Sequence, residues 1–221
     1  MNKYISFLSN INFKTLYFNF KYLPFKQAIK LPFLISRRVF LYKTKGEVVI
    51  NGPIYPGMIK IGLGKIGFFD MKRSRSMWDV LGKVVFNGRA SLGQGTKVSV
   101  GHSGVLEFGN GFATNAEVTI VSRNSVKLGD YTGVSWNCFI MDTDFHNIYD
   151  KDGNIINQSK PVIVGNHVLI GCNNVILKGA KISDNSIVGA NSMVSKDISD
   201  KSGIFIGNPI KLYKEDVTWE M

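Results

Sequence analysis

Three histidines (His102, His146, His167) and two cysteines (Cys138, Cys172) are the side chains of this 221-residue chain best suited to proton transfer or nucleophilic chemistry. His146 is set apart by its company. In the run MDTDFHN, Asp142 and Asp144 precede it by four and two residues. Imidazole is neutral yet basic near pH 7, which suits it to take a proton from an acceptor group, and a nearby carboxylate can orient the ring. His102 follows Gly101 in a turn and His167 lies beside Asn166 at an outward turn position, so both read as structural or solvent-facing. Cys172 has no base beside it in sequence, which argues against a nucleophile. Two cysteines within apolar segments read as reduced thiols of a cytoplasmic protein rather than a disulfide framework. The tetrapeptide Asp150 to Gly153 begins like a calcium loop, but the remaining ligand positions do not follow, so it reads as a solvated turn.

The elements that carry these residues show a beat of six. Val164, Ile170, Ile176, Ile182, Val188 and Val194 are each six apart, and Val168, Asn174, Ala180, Ser186 and Ser192 lie four after an aliphatic. A helix would repeat at 3.6 and a flat strand at 2. Six requires a corner after every short strand, so three hexads close one triangular coil and the aliphatics stack inward one coil, or 18 residues, apart. The fold class is therefore all-β: a left-handed parallel β-helix. Earlier triplets keep the beat: Phe86, Leu92, Val98; Phe108, Thr114, Ile120; Leu128, Val134, Ile140. The phase slips near 104 and 126, and the beat fails between Phe145 and Lys160, which predicts an extruded loop over 146–160.

Composition divides the chain into a basic-aromatic zone (1–45), the solenoid (46–194) and an exit and tail (195–221). The first zone holds no acid before Glu47, and Pro24 and Pro32 divide it into short helical or irregular pieces. Two readings stand for it: a cap over the first open coil, or a segment lying on an anionic membrane surface. The tail predicts a terminating strand or turn and then a short helix or frayed end. A net charge of +11 without any nucleic-acid motif suits a polyanionic coenzyme or an anionic membrane, not nucleic acid. No apolar run approaches the roughly 18 residues of a membrane span, and no signal peptide is evident. The expected location is the cytoplasm, with peripheral contact at the inner membrane surface open to the first zone.

The stretch VGNHVLIGCNNVILKGAKISDNSIVGANSMVSKDI, followed by GNPIKLYKE, resembles the hexapeptide-repeat acetyltransferases, closest to the maltose- and galactoside-type enzymes and the polysaccharide O-acetyltransferases. The resemblance is strong over 108–214, weaker over 46–107 and absent from 1–45. It implies an acetyl-CoA-dependent O-acetyltransferase acting on a sugar hydroxyl in surface-polysaccharide synthesis, with no metal. It places His146 as the general base, with Asp144 orienting the ring or binding the acceptor. Asp142 and Asn115 are implied at the acceptor. Cys172 is implied to present its backbone N–H to the thioester carbonyl, where it would stabilise the developing oxyanion. Ala190, Ser195 and Lys196 fall along the pantetheine and nucleotide path, and Lys211 and Lys214 at the coenzyme phosphates. A homotrimer with a site between neighbouring solenoids is also implied.

Two departures matter. Leu169 stands where the family commonly has tryptophan, and Arg123 stands where sugar-specific members tend to be acidic, which would suit an anionic acceptor. An N-acetyltransferase acting on an amino or nucleotide sugar remains open. A zinc enzyme on the same solenoid would need three histidines converging across adjacent coils, and the three here do not share a phase. A non-enzymatic scaffold is disfavoured by the His146 loop and the Gly-Asn-Pro exit.

Overall fold

The computed structural model describes residues 7–64, 66–70 and 72–220, so the first six residues of the N-terminal zone lie outside it. Alternating inward and outward side chains with a corner every few residues leave short strands no option but to stack on the next turn of chain. Among the described residues twenty-two strands do so in three parallel sheets, A, B and C, visited in rotation. The first coil is β1 (Phe33–Ile35), β2 (Phe40–Thr44) and β3 (Glu47–Ile50), one strand in each sheet. Six further coils follow, and β22 (Ile204–Ile206) begins another on sheet A. All six aliphatics of the clearest hexads are buried. Fully burying such a side chain contributes about 1.5–3 kcal/mol.

Coil length is not uniform. Ile170 pairs with Val188 and Ile176 with Val194, 18 positions on, as the hexads require. Phe86 instead pairs with Phe108, 22 on, and Phe108 with Leu128, 20 on. The phase slips near 104 and 126 are these extra residues. They fall at the corner between sheets B and C, at 101–104 and 123–124. The extruded loop leaves from that corner one coil later, between β14 (Phe139–Met141) and β15 (Val162–Val164), and Leu128 still pairs with Val164 across it. Extra residues bulge outward while the inward column stays in register, so Phe86 and Phe108 remain stacked at 5.1 Å.

The solenoid starts earlier than its expected boundary at residue 46. β1 pairs with β4 (Ile59–Ile61) and β2 with β5 (Met77–Val80), which assigns residues 33–44 to the first coil. The cap proper is helix α1 (Phe13–Tyr22) and a single turn, α2 (Phe25–Ala28), with Pro24 between them. Asn12 opens α1 by accepting from the amides of Lys14 and Thr15. Helix α1 covers the exposed edge of β1 with side chains that imitate a strand. Asn19 Nδ2 donates to the Phe33 carbonyl at 2.9 Å and its Oδ1 accepts from Phe33 N at 3.1 Å, while Thr15 Oγ1 accepts from Ile35 N at 3.0 Å. An open edge with unpaired N–H and C=O groups is thereby closed. Phe18 packs edge-on against Phe33 and Trp78 to seal the core beneath.

At the other end β23 (Lys211–Lys214) runs antiparallel to β22 and closes sheet A. The tail thus has the expected terminating strand, and residues 215–220 after it form no helix. Trp219 folds back, stacking on His167 with ring centroids 4.9 Å apart and donating to the His167 carbonyl at 2.9 Å.

Candidate functional site

The residues singled out by sequence fall on two edges of the prism. Along the edge between sheets B and C lie Arg123, then the loop 142–161 with Asp142, Asp144 and His146, then Lys178, then Ser195 and Lys196. Along the edge between sheets A and B lie Asn115, Cys172 and Ala190. Sheet B separates the two groups, so one copy of the chain presents two half-sets of groups rather than a single cleft.

The first half-set is built around the loop root. Asp142 is fully buried and accepts from Ser122 Oγ and the amides of Arg123 and Asn124 at 2.8–3.0 Å. With its carboxylate enclosed by the chain's own donors, Asp142 anchors the loop and is not placed to meet an acceptor, against the expectation for it. Asp144 is half-exposed. Its Oδ2 accepts from Lys178 Nζ at 2.5 Å and Asn157 Nδ2 at 2.9 Å. The Lys178 hydrogen bond, followed by that from Asn157, holds its carboxyl below the usual range. Asp144 is thus hydrogen-bonded to Lys178 and Asn157, and His146 acts on its carboxyl only as a smaller, through-space influence in the same direction.

Phe145 adopts φ +64°, a left-handed conformation unfavourable for a residue with a Cβ, and turns the chain so that His146 stands exposed beyond it. Asn157 ties the two sides of the loop, donating to the His146 carbonyl at 2.7 Å and accepting from Ile148 N at 2.6 Å. Beyond, Asp150 accepts from the amides of Asp152 and Asn154, so the DKDG tetrapeptide is a tight turn. Arg123 donates to Ser99 O, Ser99 Oγ and Ser122 O, and its guanidinium lies 5.2 Å from the Phe145 ring centroid. Much of its donor capacity is spent inside the chain while its charge stays beside the loop root.

The second half-set arises from the turn itself. At the edge between sheets A and B each turn needs one left-handed residue, and Asn137, Asn173 and Asn191 supply it at φ 56–58°. The residue before it, Cys172 or Ala190, has its amide outside the inter-coil ladders, with no acceptor among the described residues. Cys172 is half-buried and Ala190 exposed. Asn115 is exposed on the same edge, its amide donating to the Val134 carbonyl at 2.8 Å. Cys138, beneath, is buried and donates to the Gly171 carbonyl at 3.0 Å; burial pushes its thiol up to about 11.

Ser195 is exposed. Lys196 and Lys211 line one recess of about 360 Å³ at the C-terminal end, whereas Lys214 sits at the far end of β23. His167 occupies a left-handed turn position at φ 54° with Nδ1 3.0 Å from Asn185 Oδ1, a structural placement, and His102 is exposed on an early turn. No group of three His, Cys, Asp or Glu able to hold a metal ion occurs among the described residues.

Two parts of this arrangement were not visible in sequence. Asn157 and Lys178 hold the loop root but lie 13 and 34 residues from Asp144. A second long connection, between β4 and β5, leaves the edge between sheets A and B, and among its described residues Phe68 packs against Trp136 with centroids 5.2 Å apart.

The family model for the bacterial transferase hexapeptide (six repeats) matches residues 161–196. Over that segment the chain carries the hexapeptide repeat of those transferases. Among relatives of this hexapeptide-repeat chain, the galactoside O-acetyltransferase of Escherichia coli K12 is 34% identical over 50% of the chain and 54% of the relative. The polysialic acid O-acetyltransferase of Neisseria meningitidis is 36% identical over 48% and 49%. The chain thus spans about half the length of the curated relatives it matches. Among solved structures, a polySia-specific acetyltransferase superposes with a TM-score of 0.52 at 20% identity, covering 85% of this chain and 74% of that one, so the two share the left-handed β-helix fold.

Proposed function

We propose that the chain is an acetyl-CoA-dependent O-acetyltransferase acting on a sugar hydroxyl of a surface glycan. The observation that carries the reading is His146: an exposed imidazole at the root of an extruded loop whose base is fixed by Asp142, Asn157 and the Asp144–Lys178 pair. That is the placement a general base needs, since its partner must be reached from solvent while its backbone stays fixed. His146 takes the proton of the acceptor hydroxyl as the oxygen attacks the acetyl thioester carbonyl. The Cys172 amide is the donor proposed for the resulting oxyanion. Collapse breaks the C–S bond, and the imidazolium returns its proton to the coenzyme thiolate, giving the O-acetyl sugar and free coenzyme thiol. Lys196, Lys211 and Lys214 are assigned to the coenzyme phosphates, Ser195 and Ala190 to the path between them, and Asn115 to the acceptor.

A homotrimer belongs to the same reading. The base and the oxyanion donor lie on different edges of one prism, and a neighbouring copy would bring its own edge to the missing half. The outward residues of sheet B's later coils, Phe139, Met141, Val175 and Met193, offer an apolar face for such a contact. The reading is tested by release of free thiol from acetyl-CoA over a panel of oligosaccharides and nucleotide-sugars, beside His146→Ala and a sedimentation mass. Full activity in the variant would reject His146 as base, and a fully active monomer would reject the shared site.

A further inference from the structure

Helix α1 carries large apolar side chains on the face turned away from the core as well as on the face that packs against it. Thr15, Phe18 and Asn19 are buried and already occupied by β1 and the core. On the opposite side Phe13, Leu16, Tyr17 and Phe20, at i, i+3, i+4 and i+7, form an apolar stripe, and Phe13 is 80% exposed. Phe25 is 70% exposed and its ring lies 6.0 Å from that of Phe20. The stripe continues onto the solenoid: the Tyr17 hydroxyl meets Thr44 Oγ1 at 3.0 Å at the end of β2, whose outward Phe40 and Tyr42 are also exposed. A contiguous exposed apolar surface with polar neighbours marks an interaction site.

The charge carried by the cap segment itself has one sign. Lys21, Lys26, Lys30 and Arg37 are exposed, none is in an ion pair among the described residues, and no acidic residue precedes Glu47. Beneath the end of α1 a recess of about 540 Å³ is lined by Lys21, Lys45 and His102 together with the Lys83–Glu47 ion pair, so it adds Lys45 to the cap's cations. A partner protein would have to match an irregular ridge of rings. An anionic lipid surface matches both features at once, accepting the rings at the acyl boundary and the cations at the headgroups. No helix among the described residues is long and apolar enough to cross a membrane, so any such contact lies in the interface plane.

We propose that the outer face of α1, with Phe25 and the flanking lysines, docks the protein peripherally on an anionic membrane. This does not rest on the assignment of catalysis, because the residues concerned are remote from His146 in the coil order and binding is read without turnover. Removing residues 1–40 would unfold the first coil, so point variants serve better.

The test is sedimentation of the full chain with phosphatidylcholine vesicles, with and without about one-third phosphatidylglycerol. The chain is expected to pellet only with the anionic vesicles and to be released at about 0.5 M salt, where charge is screened within a few ångström. The variant Phe13→Ser, Leu16→Ser, Phe20→Ser, Phe25→Ser should bind at least tenfold more weakly while keeping the parent's melting temperature. The variant Lys21→Glu, Lys26→Glu, Lys30→Glu should do the same, each lysine near an anionic surface being worth about fivefold. Equal pelleting of parent and serine variant overturns the proposal. So does a fall in the sedimentation mass of the serine variant, which would show that a second copy covers the ridge.

Discussion

Lys178 Nζ lies 2.5 Å from Asp144 Oδ2, so a residue of the regular wall holds the root of the extruded loop one coil away. Asp144 also takes Asn157 Nδ2, and Asn157 in turn holds the His146 carbonyl. The path from Lys178 to the imidazole therefore runs through the loop backbone rather than through a carboxylate–imidazole bond.

The first prediction follows from that path. Lys178→Met and Asp144→Asn should each lower kcat about tenfold or more with little change in KM, because they loosen the placement of His146. Residues 145–157 should exchange amide protons faster in both. The double variant should be no worse than the poorer single one, the non-additivity expected of contacting residues. The sign with pH is fixed by the depressed Asp144 carboxyl. Its contribution is present above the ordinary carboxylate value of about 3.9 and is lost as pH falls through the lower value in the folded chain. Loop protection measured by exchange should persist to pH 4 and decline only below it; loss between pH 7 and 5 would reject this account.

Asp142 and Asn115 should separate cleanly. Asp142→Ala strands the Arg123 and Asn124 amides in a buried corner, at about 1–3 kcal/mol for each unsatisfied group after relaxation, while the Ser122 hydroxyl keeps the Val105 carbonyl. A stability loss of about 3 kcal/mol or more by urea titration is expected. Asn115 is exposed, and Asn115→Ala should leave stability within about 0.5 kcal/mol and raise KM for the acceptor. Equal destabilisation by both would remove the distinction between anchor and contact.

These cases show where sequence could and could not be read. Val164, Ile170, Ile176 and their successors fixed the later coils because inward positions must recur once per corner, and all are buried. Phe86 and Phe108 obey the same rule 22 apart, but extra residues at an outer corner change the coil length without disturbing the column, so the length was hidden. The place of β1 in the first coil is hidden because its neighbour on the open side is a helix, where Thr15 and Asn19 stand in for a strand. The Asp142 burial and the Lys178 contact depend on how the loop returns to the wall, which residue order does not specify.

The cap gives a third prediction. Asn19→Leu is similar in size but leaves Phe33 N and O without partners at the closed edge of sheet A. The expected loss is about 2–4 kcal/mol. At about 2–4 °C per kcal/mol for a chain of this size, the melting temperature should fall by roughly 5–15 °C. Asn19→Asp keeps only the acceptor and should fall between the two. An unchanged melting temperature for Asn19→Leu would mean that α1 is not needed to close that edge.

The two thiols should differ in reactivity. Neither is in a disulfide, and Cys138 is buried with its thiol donating to Gly171 O, while Cys172 is partly exposed on the edge between sheets A and B. Desolvation pushes the Cys138 thiol up to about 11, so near pH 8 it is protonated as well as shielded. A disulfide reagent at pH 8 should modify one thiol per folded chain, Cys172, and the second only on unfolding. The folded value is raised, so the stabilisation from a protonated Cys138 is complete below the ordinary thiol range and is lost as pH rises through about 11. Cys138→Ala, with no thiol to ionise, should therefore show a flatter stability profile between pH 9 and 11. If acetyl-CoA threads past Cys172, saturating donor should slow its modification at least tenfold and leave Cys138 unaffected. Equal rates for the two thiols would contradict the burial, and unprotected Cys172 would move the donor away from this edge.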